Sequence, residues 1–391
     1  MRAPVRHLTL VLLASGIVAV GACSEAAPRA AEGGGSTTTT AGGAGGSGGG
    51  AAPGCSTARP DLCLYRPAAT YEVGTTTVEG LTYTDLTGAA RNVNIAVYRP
   101  KDAPQPMPVI VLSHGGADGK TNPLKSMDAW APLFARAGYV AIAIAHEGRD
   151  GASQDALCAA VGVQAGIQCG LKINWDRPHD VDRVLAWLTE QAQKPELQGA
   201  LDLSRMAHVG HSAGAGAAMM SGGVKRNFVC AQPFGVIDPQ QACSEADLVS
   251  FAKPAIDVVV ALSPQGPGSD GFMEASYGFA DRPMLMATGA ADGDPGEPEN
   301  RLALFPLLAP GDKHKLYLDD PGAQHTLFEG TTEACEKAAT PARCAQMIEL
   351  VSSTGLAFID AHLRNDAEAK AWLASDALVT AGGGLATLEH R

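Results

Sequence analysis

The chain runs to 391 residues, 46% hydrophobic but only 5% aromatic, and its 29 Lys and Arg face 41 Asp and Glu for a formal charge of −12. An acidic balance of this kind suits a soluble surface and argues against nucleic acid as a partner. No stretch beyond the N-terminal one is long and apolar enough to span a bilayer.

Met1 to His7 carries Arg2 and Arg6, and Leu8 to Val20 is an apolar run too short to cross a membrane comfortably. It leads into Val20-Gly21-Ala22-Cys23, which resembles the lipobox of bacterial lipoproteins, where the cysteine is acylated and becomes the first mature residue. Residues 1–22 are therefore expected to be a lipoprotein signal peptide, with an ordinary cleaved secretory signal as the alternative. By the same resemblance Ser24, standing where an aspartate would favour inner-membrane retention, points to the outer membrane. Residues 23–54 comprise Cys23 and a tether of Gly, Ser, Thr and Ala with almost no large apolar residues to bury. Such a tether behind a lipid anchor would let the folded part, residues 55–391, stand off the membrane.

Within that part, strands and helices alternate. Tyr71 to Glu79 and Arg91 to Tyr98 read as an antiparallel pair with period-two, β-branched patterning. Val109 to Leu112 is a continuous apolar run, as a central strand buried on both faces requires, and Tyr139 to Ala145 is the next. A helix is predicted between them, from Ser126 to Ala137. The segment 147–175 is long for a strand-to-helix connection and is expected to form a cap over a pocket or a surface excursion. Asp180 to Ala192 carries Val181, Val184, Leu185 and Leu188 at helical spacing. Arg205 to Val209 reads as a strand and Ala215 to Met220 as a small-residue helix. Strands follow at Ile256 to Leu262, Met284 to Thr288 and Lys315 to Leu318, with helices at Pro298 to Leu308 and Ala345 to Leu363. The pattern predicts an α/β protein with a mostly parallel sheet covered by helices on both faces. Its parallel strands would end along one edge, where loops gather reactive groups.

The chain has nine cysteines. With Cys23 set aside, eight fall in sequence-local couples, Cys55 with Cys63, Cys158 with Cys169, Cys230 with Cys243 and Cys335 with Cys344. Four short-range disulfides are expected in an oxidising compartment, the alternative being free buried thiols. No couple has Cys-x-x-Cys spacing or a histidine-spaced partner, so no zinc site is expected.

Between the strand at 205–209 and its helix lies Gly210-His211-Ser212-Ala213-Gly214, a nucleophile elbow in the strand–turn–helix context it needs. Elsewhere in the chain stand Leu112-Ser113-His114-Gly115-Gly116, Arg177-Pro178-His179-Asp180-Val181, Leu262-Ser263-Pro264-Gln265-Gly266-Pro267-Gly268, Ala287-Thr288-Gly289-Ala290-Ala291-Asp292-Gly293 and Gln324-His325. On this ordered set, over roughly Tyr71 to Leu363, the chain resembles α/β-hydrolases of the dienelactone-hydrolase-like and platelet-activating-factor-acetylhydrolase-like bacterial esterases. Two departures matter. Dienelactone hydrolases use a cysteine at the elbow, where this chain has Ser212, which favours ester hydrolysis. Animal platelet-activating-factor acetylhydrolases take their acid from the loop that here begins Ser263-Pro264-Gln265, without a carboxylate, so the acid must come from elsewhere.

The chemistry can also be argued from the residues. A serine hydroxyl needs a neighbouring base, and a histidine serves best near neutral pH. His325 lies just past a predicted strand and last in the order serine, acid, histidine that this fold uses. His314 is placed at a strand start away from the catalytic edge, and His362 on the surface of the terminal helix. Asp292, or Asp294 two residues on, is the candidate acid that fixes the base's tautomer. The oxyanion hole is assigned to the amides of Ala213 and Gly116, with His114 shaping that loop. Gly115, Trp175 and Gln265 are candidate pocket residues. The expected substrate is a small-molecule or lipid ester, with no metal or organic cofactor. Peptidase or amidase action on the same triad, and a non-catalytic envelope lipoprotein that uses the fold for binding, are the alternatives.

Overall fold

In the computed structural model, residues 55–116, 121–160, 175–195, 197–228, 244–293 and 298–391 are described. The signal and tether with Cys23, most of the second half of the cap, Cys169, Cys230, Cys243 and Asp294 lie outside the described residues.

The expected antiparallel pair is β1 (Val73–Thr84) and β2 (Ala90–Pro100), both longer than predicted. β3 (Met107–Ser113), α1 (Trp130–Arg136), β4 (Val140–Ala145), α2 (Gly151–Ala160), α3 (Asp176–Ala192), β5 (Leu201–His211) and α4 (Ala213–Ser221) follow. β6 (Arg226–Asn227) and β7 (Leu248–Val249) make a separate ribbon. Next come β8 (Val258–Leu262), β9 (Met284–Gly289), α5 (Pro298–Leu302) and β10 (Lys313–Leu318). α6 (Pro341–Leu363), α7 (Ala367–Leu373), α8 (Ala377–Gly382) and β11 (Ala386–His390) complete the chain.

Three boundaries differ from the sequence reading for local reasons. The helix expected from Ser126 starts only at Trp130, because Met127 stands in the left-handed region at φ 51°, which a right-handed helix cannot include. The helix expected over residues 298–308 stops at Leu302, and the chain makes a separate 3-10 turn over Phe305–Leu307 around Pro306. α3 starts four residues earlier than predicted, at Asp176, with Pro178 in the first turn, where no helical N–H is required.

The main sheet has nine strands in the order β1-β2-β4-β3-β5-β8-β9-β10-β11. β4, β3, β5, β8, β9 and β10 are mutually parallel, and antiparallel strands close both sides. The protein is thus of the α/β class. Alternation along each strand feeds two cores. Ile110 and Leu112 join Trp130, Phe134, Met347 and Phe358 under α1 and α6. Val109 and Val111 join Val181, Val184, Met219 and Met220 under α3 and α4. Both faces are therefore apolar, which is why these strands read as unbroken hydrophobic runs.

The strand order fixes where loops meet. From β3 the chain moves outward to β4, and from β5 it moves the other way to β8, so the order reverses between β3 and β5. At such a switch point the connections leaving two adjacent strands part to opposite faces and leave a crevice at the strands' C-terminal ends. The connections here are the loop after Ser113 and the turn at Ser212.

Disulfides join Cys55 to Cys63 and Cys335 to Cys344. Cys158, buried on α2, is also disulfide-bonded, to a partner outside the described residues. Cys335–Cys344 pins the start of α6 to the segment before it, at a sequence separation of 9. Replacing both by serine is expected to lower stability by about 2–3 kcal/mol through lost loop-closure constraint. The urea midpoint and m-value, taken together, measure it.

Candidate active site

β5 ends at His211 and α4 begins at Ala213, so Ser212 alone makes the turn, at φ 53° and ψ −120°. A non-glycine residue in this region is strained by roughly 1–3 kcal/mol and is held there only by its surroundings. The surroundings are tight backbone contacts. A Cβ at position 210 would lie 2.0 Å from the Gly214 carbonyl oxygen, and one at position 214 would lie 2.0 Å from the Ser113 carbonyl oxygen. Only glycine at both positions lets α4 turn back this closely on β5 and β3.

The loop after β3 backs directly onto the serine. A Cβ at Gly115 would sit 3.1 Å from Ser212 Cβ and 2.6 Å from His211 Nδ1. Gly116, at φ 88°, follows in a left-handed conformation. Its carbonyl accepts from Arg177 Nη2 at 3.1 Å, and Arg177 Nη1 donates to the His114 carbonyl. A buried guanidinium from α3 thus clamps both ends of the loop. Within it, His114 Nδ1 lies 2.6 Å from the Gly115 carbonyl, so His114 shapes the turn. Ala213, as the first residue of α4, presents an amide that the helix itself cannot satisfy, and the helix dipole favours negative charge there.

Asp292 and His325 come from the loops after β9 and β10. A parallel bridge between Ala291 and Gln324 sets those loops side by side. His325 Nδ1 is 2.9 Å from Asp292 Oδ1. A carboxylate only accepts, so Nδ1 carries the proton and Nε2 keeps its lone pair. Asp292 is fully buried, and each oxygen has protein partners. Arg301 Nε lies 3.1 Å from Oδ1, Thr288 Oγ1 donates to Oδ2 at 2.8 Å, and Ser263 Oγ also donates to Oδ2. Burial pushes this carboxyl up, but the hydrogen bond from His325 and the charge of Arg301 outweigh it and hold Asp292 below the usual carboxylate range. It is ionised at neutral pH.

Four supporting roles were not read from the sequence, although Ser263, Thr288 and Arg177 lie in motifs that carry the resemblance. Ser263, at φ 54°, places Oγ 2.9 Å from His325 Nδ1 as well as on Asp292, so it bridges the two side chains. Arg301 also donates to the carbonyls of Asp292, Ser263 and Pro264 at 2.8, 3.0 and 2.7 Å. Thr288 and Arg177 complete the set. Ser263 and Thr288 each stand at the end of an apolar strand on the elbow's edge, which is the signal that could have marked them. His211, inside the elbow, is 2.9 Å from the His325 carbonyl through Nε2 and so ties the backbone of His325 to the strand that leads into Ser212.

The other candidates are placed as follows. Gln265 is buried, and its Oε1 lies 2.9 Å from where a Cβ of Gly216 would be, with no hydrogen-bond partner among the described residues. Trp175 packs in an aromatic cluster with His179, Phe228 and Phe251, at ring-centroid distances of 5.7, 4.9 and 5.6 Å. It lines a cavity of about 320 Å³ with Tyr83, Asp85 and His179. His314 starts β10, away from this edge. His362, expected on the surface, is half-buried against Phe358, with ring centroids 4.5 Å apart. A cavity of about 810 Å³, lined by Val78, Val97, Met107, Ile142 and Trp187, opens toward the opposite end of the sheet. Among the described residues no group of His, Cys, Asp and Glu is arranged to hold a metal, and no helix is long and apolar enough to cross a membrane.

No family model matches the chain, and a search of curated proteins finds no similar sequence.

Burial lowers His208 to about 3 and His211 and His314 to about 4. Each is neutral when folded but takes a proton near pH 6.5 when unfolded, so the unfolded chain binds more protons below that pH. Stability should be complete above about pH 6.5 and fall by about 1–2 kcal/mol per histidine between pH 7 and 5. Urea midpoints at the two pH values test this, and His314→Phe should shrink the difference.

Proposed function

We propose that the protein is a serine hydrolase of the α/β-hydrolase type that cleaves carboxylic esters through an acyl-enzyme on Ser212. The observation that carries this reading is the fixed Nδ1–H tautomer of His325 on a buried, ionised Asp292, at the same sheet edge as the strained Ser212.

With Nδ1 committed to Asp292, Nε2 of His325 is the nitrogen that takes the serine proton as Oγ attacks the ester carbonyl. The amides of Ala213 and Gly116 receive the developing oxyanion. The imidazolium formed is stabilised by Asp292 and returns its proton to the leaving alcohol. Water then attacks the acyl-enzyme with His325 again as base. Arg301 keeps Asp292 ionised throughout, so the proton resides on His325 rather than passing to the carboxylate.

Export and lipid anchoring through Cys23 belong to the same proposal. The disulfides Cys55–Cys63 and Cys335–Cys344 support it, since such bonds persist in oxidising compartments.

Hydrolysis of p-nitrophenyl esters from acetate to palmitate tests the reaction, and the chain-length optimum sizes the pocket. Ser212→Ala and His325→Ala should each lose about 10³-fold or more in kcat, and Asp292→Asn somewhat less, with circular dichroism unchanged. Equal activity in wild type and Ser212→Ala would contradict the assignment. Faster turnover of matched amides than esters would shift it to the amidase.

A further inference from the structure

We infer that a buried chain of hydrogen bonds, Ser221–His208–Ser113–His146–Asp180, positions the oxyanion loop against the elbow, with Ser113 and His146 as positioning residues. The inference rests on the hydrolase reading above.

Ser113 is the last residue of β3, immediately before His114-Gly115-Gly116. Its Oγ lies 2.9 Å from His208 Nε2 and 2.8 Å from His146 Nε2. His146 Nδ1 is 2.8 Å from Asp180 Oδ2, and His208 Nδ1 is 2.9 Å from Ser221 Oγ. All five side chains are buried. The chain joins β3, the end of β4, β5, α3 and α4, the elements that surround the elbow.

The protons can be placed one by one. Burial raises the Asp180 carboxyl above its ordinary value, but Arg91 meets both its oxygens, at 2.9 and 3.2 Å, and Tyr83 donates to Oδ1 at 3.0 Å, so its surroundings are matched to the anion. It can only accept, so His146 presents Nδ1–H. Burial keeps both imidazoles neutral, His146 falling well below its ordinary value and His208 to about 3. His146 Nε2 then holds a lone pair, and Ser113 donates to it. Ser113 in turn accepts from His208 Nε2–H, which leaves a lone pair on His208 Nδ1 facing Ser221 Oγ, whose single proton is shared with the Ala217 carbonyl at 3.1 Å. From His208 onward every donor points toward Asp180, an arrangement in which neighbouring bonds polarise and strengthen one another.

This order bears on catalysis because Ser113 touches the elbow from the other side. Its carbonyl packs against Gly214, so its hydroxyl and carbonyl together fix the peptide that leads into the loop. The loop is held a second time where the His146 amide donates to His114 Nε2 at 3.1 Å. Arg177 grips the loop's carbonyls, but its amides are aimed by how β3 ends. Removing the Ser113 hydroxyl leaves two imidazoles facing each other with no group between them, and frees that end to rotate.

Ser113→Ala tests this with matched oxygen and thiono esters, because sulfur is a poor hydrogen-bond acceptor and registers little of the oxyanion hole. The expected result is at least a tenfold fall in kcat for the oxygen ester with KM within about twofold, a much smaller fall for the thiono ester, and an unchanged far-UV spectrum. An unchanged kcat, or equal losses on both substrates, overturns the positioning role. Nitrogen-15 NMR of histidine-labelled wild type checks the chain without any substitution. His146 should be neutral with its proton on Nδ1 and His208 neutral with its proton on Nε2, and any other arrangement overturns the proton order. A wild type whose ester hydrolysis survives Ser212→Ala would instead remove the hydrolase reading, and the oxyanion role with it, whatever the NMR shows.

Discussion

Everything at the candidate site depends on the parallel register that brings the strands' C-terminal ends level. Ser113 pairs with Gly210, Gly210 with Ala261, Leu262 with Ala287, and Gly289 with Leu318. A shift of one residue in any pair would turn that strand's apolar side chains to the other face, so two buried cores lock the register. The consequence is chemical. Ser113, Ser212, Ser263, Asp292 and His325, spread across more than half the chain, meet along one edge, where contacts such as His211 Nε2 to the His325 carbonyl then hold them.

Two strained residues stand on that edge. Ser212 and Ser263 both hold positive φ without being glycine, at 53° and 54°. Each is fixed by backbone hydrogen bonds to a neighbouring strand, Ser212 N–H to the Leu262 carbonyl at 2.9 Å and Ser263 N–H to the Ala287 carbonyl at 2.7 Å. Buried arginines add to this. Arg177 orders the loop before the nucleophile, and Arg301 gathers Asp292 with the carbonyls of Ser263 and Pro264. In an acidic protein these two buried cations organise backbone oxygens rather than a surface.

Much of this could be read from the residues in order. Apolar runs such as Val109 to Leu112 announce strands buried on both faces, and the glycines of the elbow announce a turn too tight for side chains. Asp292 and His325 stand just past strand ends, so their shared edge follows from the α/β pattern. The supports were not legible in the same way. Thr288 and Ser263 are marked only by standing at strand ends, and nothing in the identity or spacing of Arg301 signals that it meets them across loops. The same holds for His146 and His208, which look like isolated core histidines until β3, β4 and β5 lie side by side. Helix ends were missed where one dihedral decides, as at Met127. β11 was missed because the five residues Ala386–His390 carry too little pattern to stand out before β10 offers them a partner.

The central claim is that Ser212 is an activated nucleophile. The most direct measurement is to treat the purified protein with an alkyl fluorophosphonate and map the adduct by peptide mass spectrometry. The account predicts stoichiometric labelling on Ser212, abolished in His325→Ala. An unlabelled protein, or an adduct on another residue, would contradict it.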